Sequence, residues 1–220
     1  MIQIDCSLPA SQQTDREWLE SDGQGGYASS TLDNCHTRRY HGLMVASLPS
    51  PEGRYVLFSK LEDSLAIGEQ EHHFSAHRYP GLSFPPGPPP LKEFRLELCP
   101  RFLYRAGEVV LQKSVLLLAG GSTLLIRYDL IEGPPQACLR LKPFIAFRNH
   151  HALTRQNSDL RGRTEAIENG FMIEPYAGMP PLFFQTSTVS RFTPTPLWYN
   201  RFEYTEEKAR GFDWQEDLFL

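Results

Sequence analysis

Cysteine is scarce in this sequence and is never closely spaced. The 220 residues contain four cysteines, and Cys6, Cys35, Cys99 and Cys138 lie too far apart to form a C-x-x-C pair. Zinc sites and dithiol redox sites use closely spaced cysteines, so this spacing argues against both. We therefore expect reduced thiols, no metal site and no cofactor.

Long apolar runs and strong charge are also missing. No run approaches the roughly 20 apolar residues of a membrane-spanning helix. The N-terminal segment, MIQIDCSLPA, lacks the basic and apolar regions of a signal peptide. A net charge of −4 provides no general attraction to nucleic acid or to an anionic membrane. We expect a cytoplasmic protein that binds neither nucleic acid nor membrane.

Sustained helical periodicity is absent, whereas short alternating runs are frequent. Apolar and polar residues alternate with a period of two in residues 94–98, 109–114, 124–129 and 138–142. Prolines and glycines lie between such runs, a pattern typical of antiparallel strands joined by turns. With roughly ten to fourteen such strands, we expect an all-β fold. The expectation is one domain, residues 1–220, folded as a large antiparallel two-sheet β-sandwich with few short helices.

The densest chemistry lies in residues 17–48, which begin with a glycine-rich turn. Residues 22–26, DGQGG, precede Tyr27 and predict positive φ angles or close backbone packing. Two interpretations stay open: a tight turn that lets two backbones approach, or a turn that shapes a ligand or domain interface. Residues 23–28 also match G-x-G-x-x-A, but no apolar strand precedes them and no helical pattern follows, as a dinucleotide site requires.

A polar cluster, TRRYHG, follows in residues 37–42. If it were part of a strand, Arg38 and Tyr40 would share one face, and Arg39 and His41 the other. One arginine would then pair with a carboxylate of the same stretch, Glu17 or Asp22, while the other faces a partner. Arginine and tyrosine suit both sugar hydroxyls and a polar interface. A structural ion-pair role and a role lining a site both remain open.

A second polar cluster, RNHH, occupies residues 148–151. Adjacent histidines in a strand diverge, and no third ligand has suitable spacing, so a metal site is not expected there. Arg148 and His150 are retained as candidate contact residues.

Paired carboxylates of the kind that glycosidases use are present, but none carries a signature of catalysis. The available groups are Glu62 with Asp63, the acidic residues of 17–22, and those of 213–217. The G-x-S-x-G, H-E-x-x-H and Walker motifs are all missing. We expect no catalytic residue in this chain.

Two motifs together resemble one family. Residues 17–31, EWLESDGQGGYASST, and residues 37–46, TRRYHGLMVA, resemble the N-terminal domain of bacterial and archaeal glycogen debranching enzymes of the amylo-α-1,6-glucosidase type. Residues 57–63, LFSKLED, residues 148–151, and residues 211–219, GFDWQEDLF, are similar to further segments of that domain in the same order. Asp22 and Ser30 depart from the family pattern, which has asparagine and glycine there.

The resemblance implies a β-sandwich followed by a catalytic (α/α)6 barrel, which carries the carboxylates that remove the α-1,6-linked glucose stub at a glycogen branch. We therefore expect a non-catalytic domain of a longer glycoside hydrolase, inactive alone and without the barrel. Its partners would be the C-terminal barrel of the same polypeptide and glycogen or another branched α-glucan. The residues expected to bind substrate or to lie at the domain interface are Gly25, Gly26, Tyr27, Arg38, Arg39, Tyr40, His41, Arg148 and His150.

Two other functions remain open. The chain could be a free-standing α-glucan-binding module in which exposed aromatic residues such as Trp198, Tyr199 and Tyr204 stack on sugar rings. It could also be a purely structural domain that supports the barrel without touching substrate.

Overall fold

The computed structural model describes residues 2–6, 16–120 and 123–220, and these residues form strands joined by short turns. The strands are β1 (Ile2–Asp5), β2 (Glu17–Ser21), β3 (Tyr27–Thr31), β4 (Gly42–Pro49), β5 (Glu52–Ile67), β6 (Gln70–His73), β7 (His77–Tyr79), β8 (Leu82–Phe84), β9 (Leu91–Leu96), β10 (Pro100–Ala106), β11 (Val109–Leu117), β12 (Leu124–Glu132), β13 (Cys138–Asn149), β14 (Thr164–Ile167), β15 (Gly170–Ile173), β16 (Leu182–Gln185), β17 (Trp198–Glu203) and β18 (Gln215–Phe219). One short helix, α1 (Thr205–Ala209), precedes β18.

Two large antiparallel sheets form the body of the fold. One sheet has the order β1-β9-β10-β11-β12, and the other has the order β17-β18-β13-β5-β4-β3-β2, with β6 also paired to β5. The predicted all-β sandwich is therefore confirmed. The strand estimate was too low, because the polar strands β2 and β3 and the C-terminal β18 carry weak apolar alternation and were not predicted.

The main core lies between the two large sheets. Trp18 of β2 packs edge-on against Phe102 of β10 with ring centroids 5.8 Å apart, and Phe102 and Tyr104 are fully buried. A buried ion pair also joins the sheets: the Lys113 ammonium lies 2.7 Å from the Asp63 carboxylate. Tyr128 donates a second hydrogen bond to that carboxylate at 2.8 Å. The alternation of apolar residues seen in the sequence thus points each strand's apolar side chains into this core.

The eight-stranded sheet is buried on its second face as well. We call this the outer face, because it points away from the five-stranded sheet. A separate apolar cluster covers it, formed by Val45, Val56, Phe144, Ala146, Phe202 and Leu218. The β7–β8 hairpin packs on part of this face, and its His77 ring lies 5.4 Å from the ring of Phe202. The outer face therefore holds both apolar and titratable side chains in one layer.

Two strands contain irregular parts that sequence periodicity does not reveal. The alternation of residues 138–142 predicts only the first part of β13, which continues to Asn149 through register shifts at Phe144/Ile145 and Ile145/Arg148. Phe147 adopts a φ of 49° in this irregular part. The proline-rich segment of residues 80–90 contains the short strand β8, which pairs with β7. Bulges and short two-stranded hairpins have little periodic signal in a sequence.

A third, smaller antiparallel sheet has the order β14-β15-β16. No helix in the described ranges has the length and apolar character required to cross a membrane.

Candidate functional site

The polar cluster of residues 37–42 forms a turn immediately before β4. The His41 N–H donates to the Arg38 carbonyl oxygen at 3.1 Å, and β4 begins at Gly42. The alternation of faces expected for a strand is therefore wrong here. We call residues 38–41 the Arg38–His41 turn. A turn leaves its backbone carbonyl groups available to other partners, and the surrounding structure uses them.

The glycine-rich turn of residues 22–26 joins β2 to β3 and packs on β4. The Asp22 carboxylate accepts hydrogen bonds from the N–H groups of Gln24 at 2.7 Å and Gly26 at 2.9 Å. A Cβ atom on Gly26 would collide with that carboxylate and lie 3.0 Å from the Val45 carbonyl oxygen. Gly25 has a φ of 97°. These contacts favour the interpretation of a tight turn that lets two backbones approach.

A buried ion pair supports the Arg38–His41 turn from below. Arg148 and Glu216 are buried, and one guanidinium nitrogen of Arg148 lies 3.1 Å from a Glu216 oxygen. The same nitrogen donates to the Arg39 carbonyl oxygen at 2.7 Å. Burial alone would lower the pKa of Arg148, but the charge of Glu216 outweighs it and raises the pKa above its ordinary value. The turn backbone is thus attached to a charged group within the outer face.

Glu216 is the centre of this buried network. It also accepts hydrogen bonds from the Thr154 N–H at 3.0 Å and from the Tyr204 hydroxyl. Burial, followed by the negative charge of Glu216, raises the pKa of Tyr204 well above its ordinary value. Tyr204 therefore remains a neutral hydrogen-bond donor.

The two arginine side chains of the turn are largely engaged within the domain. Arg38 donates to Glu17 at 2.7 Å, which is the ion pair expected for one arginine. Arg39 pairs with the buried Glu207 of α1 at 3.0 Å and donates to the His151 carbonyl oxygen at 2.9 Å. Their side chains are 33% and 15% exposed. Asp22, the other carboxylate considered as a partner, is used by the glycine-rich turn instead.

His41 lies beneath the turn rather than on its surface. It is buried, its Nδ1 accepts a hydrogen bond from the Thr37 N–H at 3.2 Å, and its Nε2 lies 3.4 Å from Glu17. The adjacent His41 ring, opposed by burial and reinforced by Arg38, lowers the pKa of Glu17 to about 2. Glu17 is therefore a carboxylate at neutral pH.

A group of aromatic rings lies at the surface beside the turn. The Tyr40 hydroxyl lies 3.1 Å from Nδ1 of the exposed His151, and the Tyr40 ring is 5.6 Å from the ring of His150. The His150 and His151 rings are 3.9 Å apart. The Tyr27 hydroxyl holds this arrangement in place by donating to the Tyr40 carbonyl oxygen at 2.8 Å. We call Tyr40, His150 and His151 the ring cluster.

The structure brings the predicted residues into one region. Arg54 links the two parts, because its Nε donates to the Gly25 carbonyl oxygen at 2.7 Å and its own carbonyl accepts from the His150 N–H at 2.9 Å. Part of the set reaches the surface: Arg38, Arg39, Tyr40 and His150. The rest supports it from within or beside the turns: Gly25, Gly26, Tyr27, His41 and Arg148.

Sequence reasoning missed the acidic partners of this region. Glu207 lies 168 positions from Arg39, and Glu216 lies 68 positions from Arg148, the arginines that they bind. The only signal was that residues 211–219 resemble the same family as the two polar clusters. His151 was noted in the second cluster but was not selected.

The carboxylates weighed as possible catalytic pairs are held apart or engaged. Glu62 and Asp63 are neighbours on β5 and point to opposite faces: Glu62 bonds to His77 at 2.8 Å, and Asp63 bonds to Lys113. Asp217 accepts hydrogen bonds from the N–H groups of Gln156 and Arg201. Among the residues that the structure describes, no three His, Cys, Asp or Glu side chains are grouped to hold a metal ion.

The aromatic residues proposed for sugar stacking occupy different environments. Tyr204 is 1% exposed and bonds to Glu216, so its stacking role is wrong. Trp198 is half-buried and packs edge-on against Phe219 with centroids 5.4 Å apart. Tyr199 is half-buried on the outer face beside Phe144 and lines an open groove.

Comparison with known families identifies the family of this chain. A family model described as the N-terminal region of glycogen debranching enzyme matches residues 16–220. The chain therefore belongs to this family of glycogen debranching enzyme N-terminal domains. No curated protein and no solved structure matches the chain.

Proposed function

We propose that this chain is the non-catalytic N-terminal domain of a glycogen debranching enzyme and docks on a catalytic (α/α)6 barrel of the same polypeptide. The Arg38–His41 turn and the ring cluster form the docking surface and shape the rim of the α-1,6-glucosidase site, next to a branched α-glucan. The observation that carries the proposal is a turn held by a buried arginine, beside which the ring cluster lies at the surface.

The energetic cost of the support favours a functional surface. Removing the charges of Arg148 and Glu216 from water costs several kcal/mol per ion, by order of magnitude, and attraction between them offsets this only with good geometry. Well-packed apolar residues at such positions are often as stable. Here the pair also fixes the Arg39 carbonyl oxygen, so its role fits the positioning of a surface that must keep one shape.

The chemistry of the docking surface suits contact rather than proton transfer to a substrate. Its polar groups already have partners within the domain, and its exposed parts are the edges of rings and the remaining guanidinium N–H groups. Such groups bind carbonyl, carboxylate and hydroxyl oxygens of a partner domain or a glucan. The acid and base would belong to the barrel. A cytoplasmic location is part of the proposal.

The first experiment is the intact mass of the native gene product in a lysate, detected with an antibody against this chain. We expect a species much larger than the 25.1 kDa of these 220 residues, since the barrel is part of the same polypeptide. A species of 25.1 kDa would contradict that part of the proposal, and a separately encoded barrel subunit would then have to be sought by co-purification.

The second experiment tests the docking surface in the complete enzyme. We expect His151→Ala to lower kcat/KM for a branched α-glucan roughly tenfold, since one lost contact of this kind is worth about 1.4 kcal/mol. The melting temperature should be unchanged because His151 is exposed. His72→Ala on β6 is the matched control and should leave both quantities unchanged. Equal losses of activity and stability would instead support a purely structural domain.

A further inference from the structure

An open groove lies on the outer face, apart from the Arg38–His41 turn. It has a volume of about 500 Å³, within the range of small-molecule sites, and no residue of that turn lines it. The β7–β8 hairpin forms one wall with Tyr79 and Phe84, and β17 forms the other with Tyr199 and Arg201. Glu62 of β5 and Lys142 of β13 contribute the polar lining between these walls.

The two tyrosine rings of the groove are held by packing beneath them. Tyr199 contacts the buried Phe144 edge-on at a centroid distance of 5.0 Å, and Tyr79 packs on the buried Phe202 at 4.9 Å. Both tyrosines are half-buried, so part of each remains open to the groove. Rings fixed in this way lose little conformational entropy when a ligand packs on them.

The lining of the groove carries a fixed negative charge beside a positive one. Glu62 bonds to His77 at 2.8 Å and to Lys142 at 2.5 Å. Burial alone would raise the pKa of Glu62, but the hydrogen bonds from His77 and Lys142 outweigh it and lower the pKa to about 2. Burial and the nearby Lys60 lower the pKa of His77 to about 4. At neutral pH the neutral His77 ring therefore donates from Nε2 to a carboxylate.

A strand irregularity places a cationic side chain at the opening. The register of β17 shifts between Tyr199 and Phe202, and Arg201 adopts a φ of 63°. The Asp217 carboxylate holds this conformation by accepting the Arg201 N–H at 2.8 Å. The exposed Arg201 guanidinium has no hydrogen-bond or ion-pair partner within the described ranges. Backbone strain that is held in this way often marks a functional position.

We propose that this groove binds a short segment of an α-linked glucan chain. The tyrosine rings would pack on the apolar faces of glucose rings. Hydroxyl groups would donate to Glu62 and accept from Lys142 and Arg201. A hydroxyl is the group that both donates and accepts, so a ligand rich in hydroxyls satisfies a carboxylate and two cations together. The charged lining disfavours an apolar ligand.

The choice of an α-linked glucan rests on the proposed function, because the family membership supplies that substrate class. The groove itself indicates only a polyhydroxylated ligand. The site would hold the enzyme on a branched polymer through a chain other than the one being cleaved, and would raise the local concentration of branch points.

The test is titration of the 220-residue chain with maltoheptaose, in which binding is monitored by isothermal calorimetry and by changes in amide NMR shifts. We expect weak saturable binding, with shifts confined to residues of β7, β8 and β17. Tyr199→Ala should weaken the binding at least about tenfold through loss of a packing surface. Arg201→Ala should weaken it about threefold to fivefold, since an exposed charged hydrogen bond is lost. Arg191→Ala, an exposed arginine outside the groove, is the matched control and should leave binding unchanged.

Folding of each variant is checked by circular dichroism, and Arg201→Ala keeps the test decisive if Tyr199→Ala is unstable. Absence of saturable binding, or binding that both variants leave unchanged, would overturn the proposal. Equal binding of cellohexaose, whose linkages are β, would overturn the assignment to α-glucan. Loss of the groove-specific shifts in the complete enzyme would show that the barrel covers the groove, and would also overturn it. The intact mass and the His151→Ala kinetics test the docking proposal separately, so failure of the groove proposal and failure of the docking proposal can be told apart.

Discussion

At the scale of single residues, the region richest in polar side chains is held together by its own ion pairs. Arg39 pairs with Glu207, which is 1% exposed, and Arg38 pairs with Glu17. Removing Arg39 would leave a buried carboxylate with a weaker partner, Arg210 at 3.9 Å. Loss of activity in Arg39→Ala would therefore mix a folding effect with a contact effect. This is why the test of docking uses His151, whose side chain is exposed.

Arg148 offers a sharper test of the support beneath the turn. We expect Arg148→Ala to destabilise the domain by about 3–5 kcal/mol, because Glu216 would remain buried without its partner. Arg155→Ala is the matched control, since the Arg155–Asp213 pair is exposed. That change should cost less than about 1 kcal/mol. The measurement is urea unfolding of both variants, and similar losses for the two would show that the buried pair has no special role.

At the scale of elements, the β2–β3 connection shows how one side chain determines a turn. Asp22 stands where the family pattern has asparagine, and the turn requires only one side-chain oxygen at this position. A single carboxylate oxygen accepts both N–H groups of the turn, from Gln24 and Gly26. An asparagine amide oxygen has the same two lone pairs. The departure from the family pattern is therefore compatible with the same turn.

This equivalence gives a prediction for the turn. Asp22→Asn should change the free energy of unfolding by less than about 1 kcal/mol, since both hydrogen bonds remain. Asp22→Ala should cost roughly 2–4 kcal/mol, because two buried or half-buried N–H groups lose a charged acceptor. The measurement is chemical denaturation, which compares the free energy of unfolding of the two variants with that of the parent protein. If asparagine were as costly as alanine, the negative charge rather than the hydrogen-bond geometry would be responsible.

Sequence patterns located most elements but not their irregular parts. The alternation of residues 109–114 predicted β11, and that of residues 124–129 predicted β12, because periodic burial is a local property of a strand. The sequence did not predict the continuation of β13 to Asn149 or β18. In both places buried polar residues such as Arg148 and Glu216 bond to each other, so the strand lacks the apolar and polar alternation that a sequence pattern detects.

At the scale of the whole molecule, one sheet separates two different environments. Its inner face builds the sandwich core, and its outer face buries titratable groups among aromatic rings. Lys60 is an example: burial lowers its pKa to about 8, although Cys35 and Glu62 oppose this, and its ammonium donates to the Ala76 carbonyl oxygen at 2.8 Å. Buried groups of this kind make the stability of the domain depend on pH.

His77 makes the acid side of that dependence testable. Its pKa in the folded domain, about 4, lies below its ordinary value of 6.5. Between these two pKa values the unfolded chain binds a proton at His77 that the folded domain does not bind. The contribution of the neutral His77 to the free energy of unfolding is therefore fully present above pH 6.5 and is lost as the pH falls towards 4. From this residue alone, the free energy of unfolding should fall by about 2 kcal/mol between pH 7 and pH 5.

The variant His77→Gln keeps an N–H donor for Glu62 but does not titrate. Urea unfolding at the two pH values should show a decrease about 2 kcal/mol smaller in the variant than in the parent domain. His36 is also buried with a pKa lowered chiefly by burial, and it is present in both proteins, so the comparison measures the effect of replacing His77. Identical pH dependence in the two proteins would mean that His77 is not the group responsible.

The sequence by itself determined the all-β class, most of the strands and the two polar clusters of the candidate site. It did so because backbone periodicity and turn chemistry act over a few residues. Only the tertiary structure decided which side chains meet. Arg148 reaches the Arg39 carbonyl oxygen across 109 positions, and Glu207 reaches Arg39 across 168. These meetings depend on the order β18-β13-β5-β4, which packing of both sheet faces selects and no short stretch of sequence encodes.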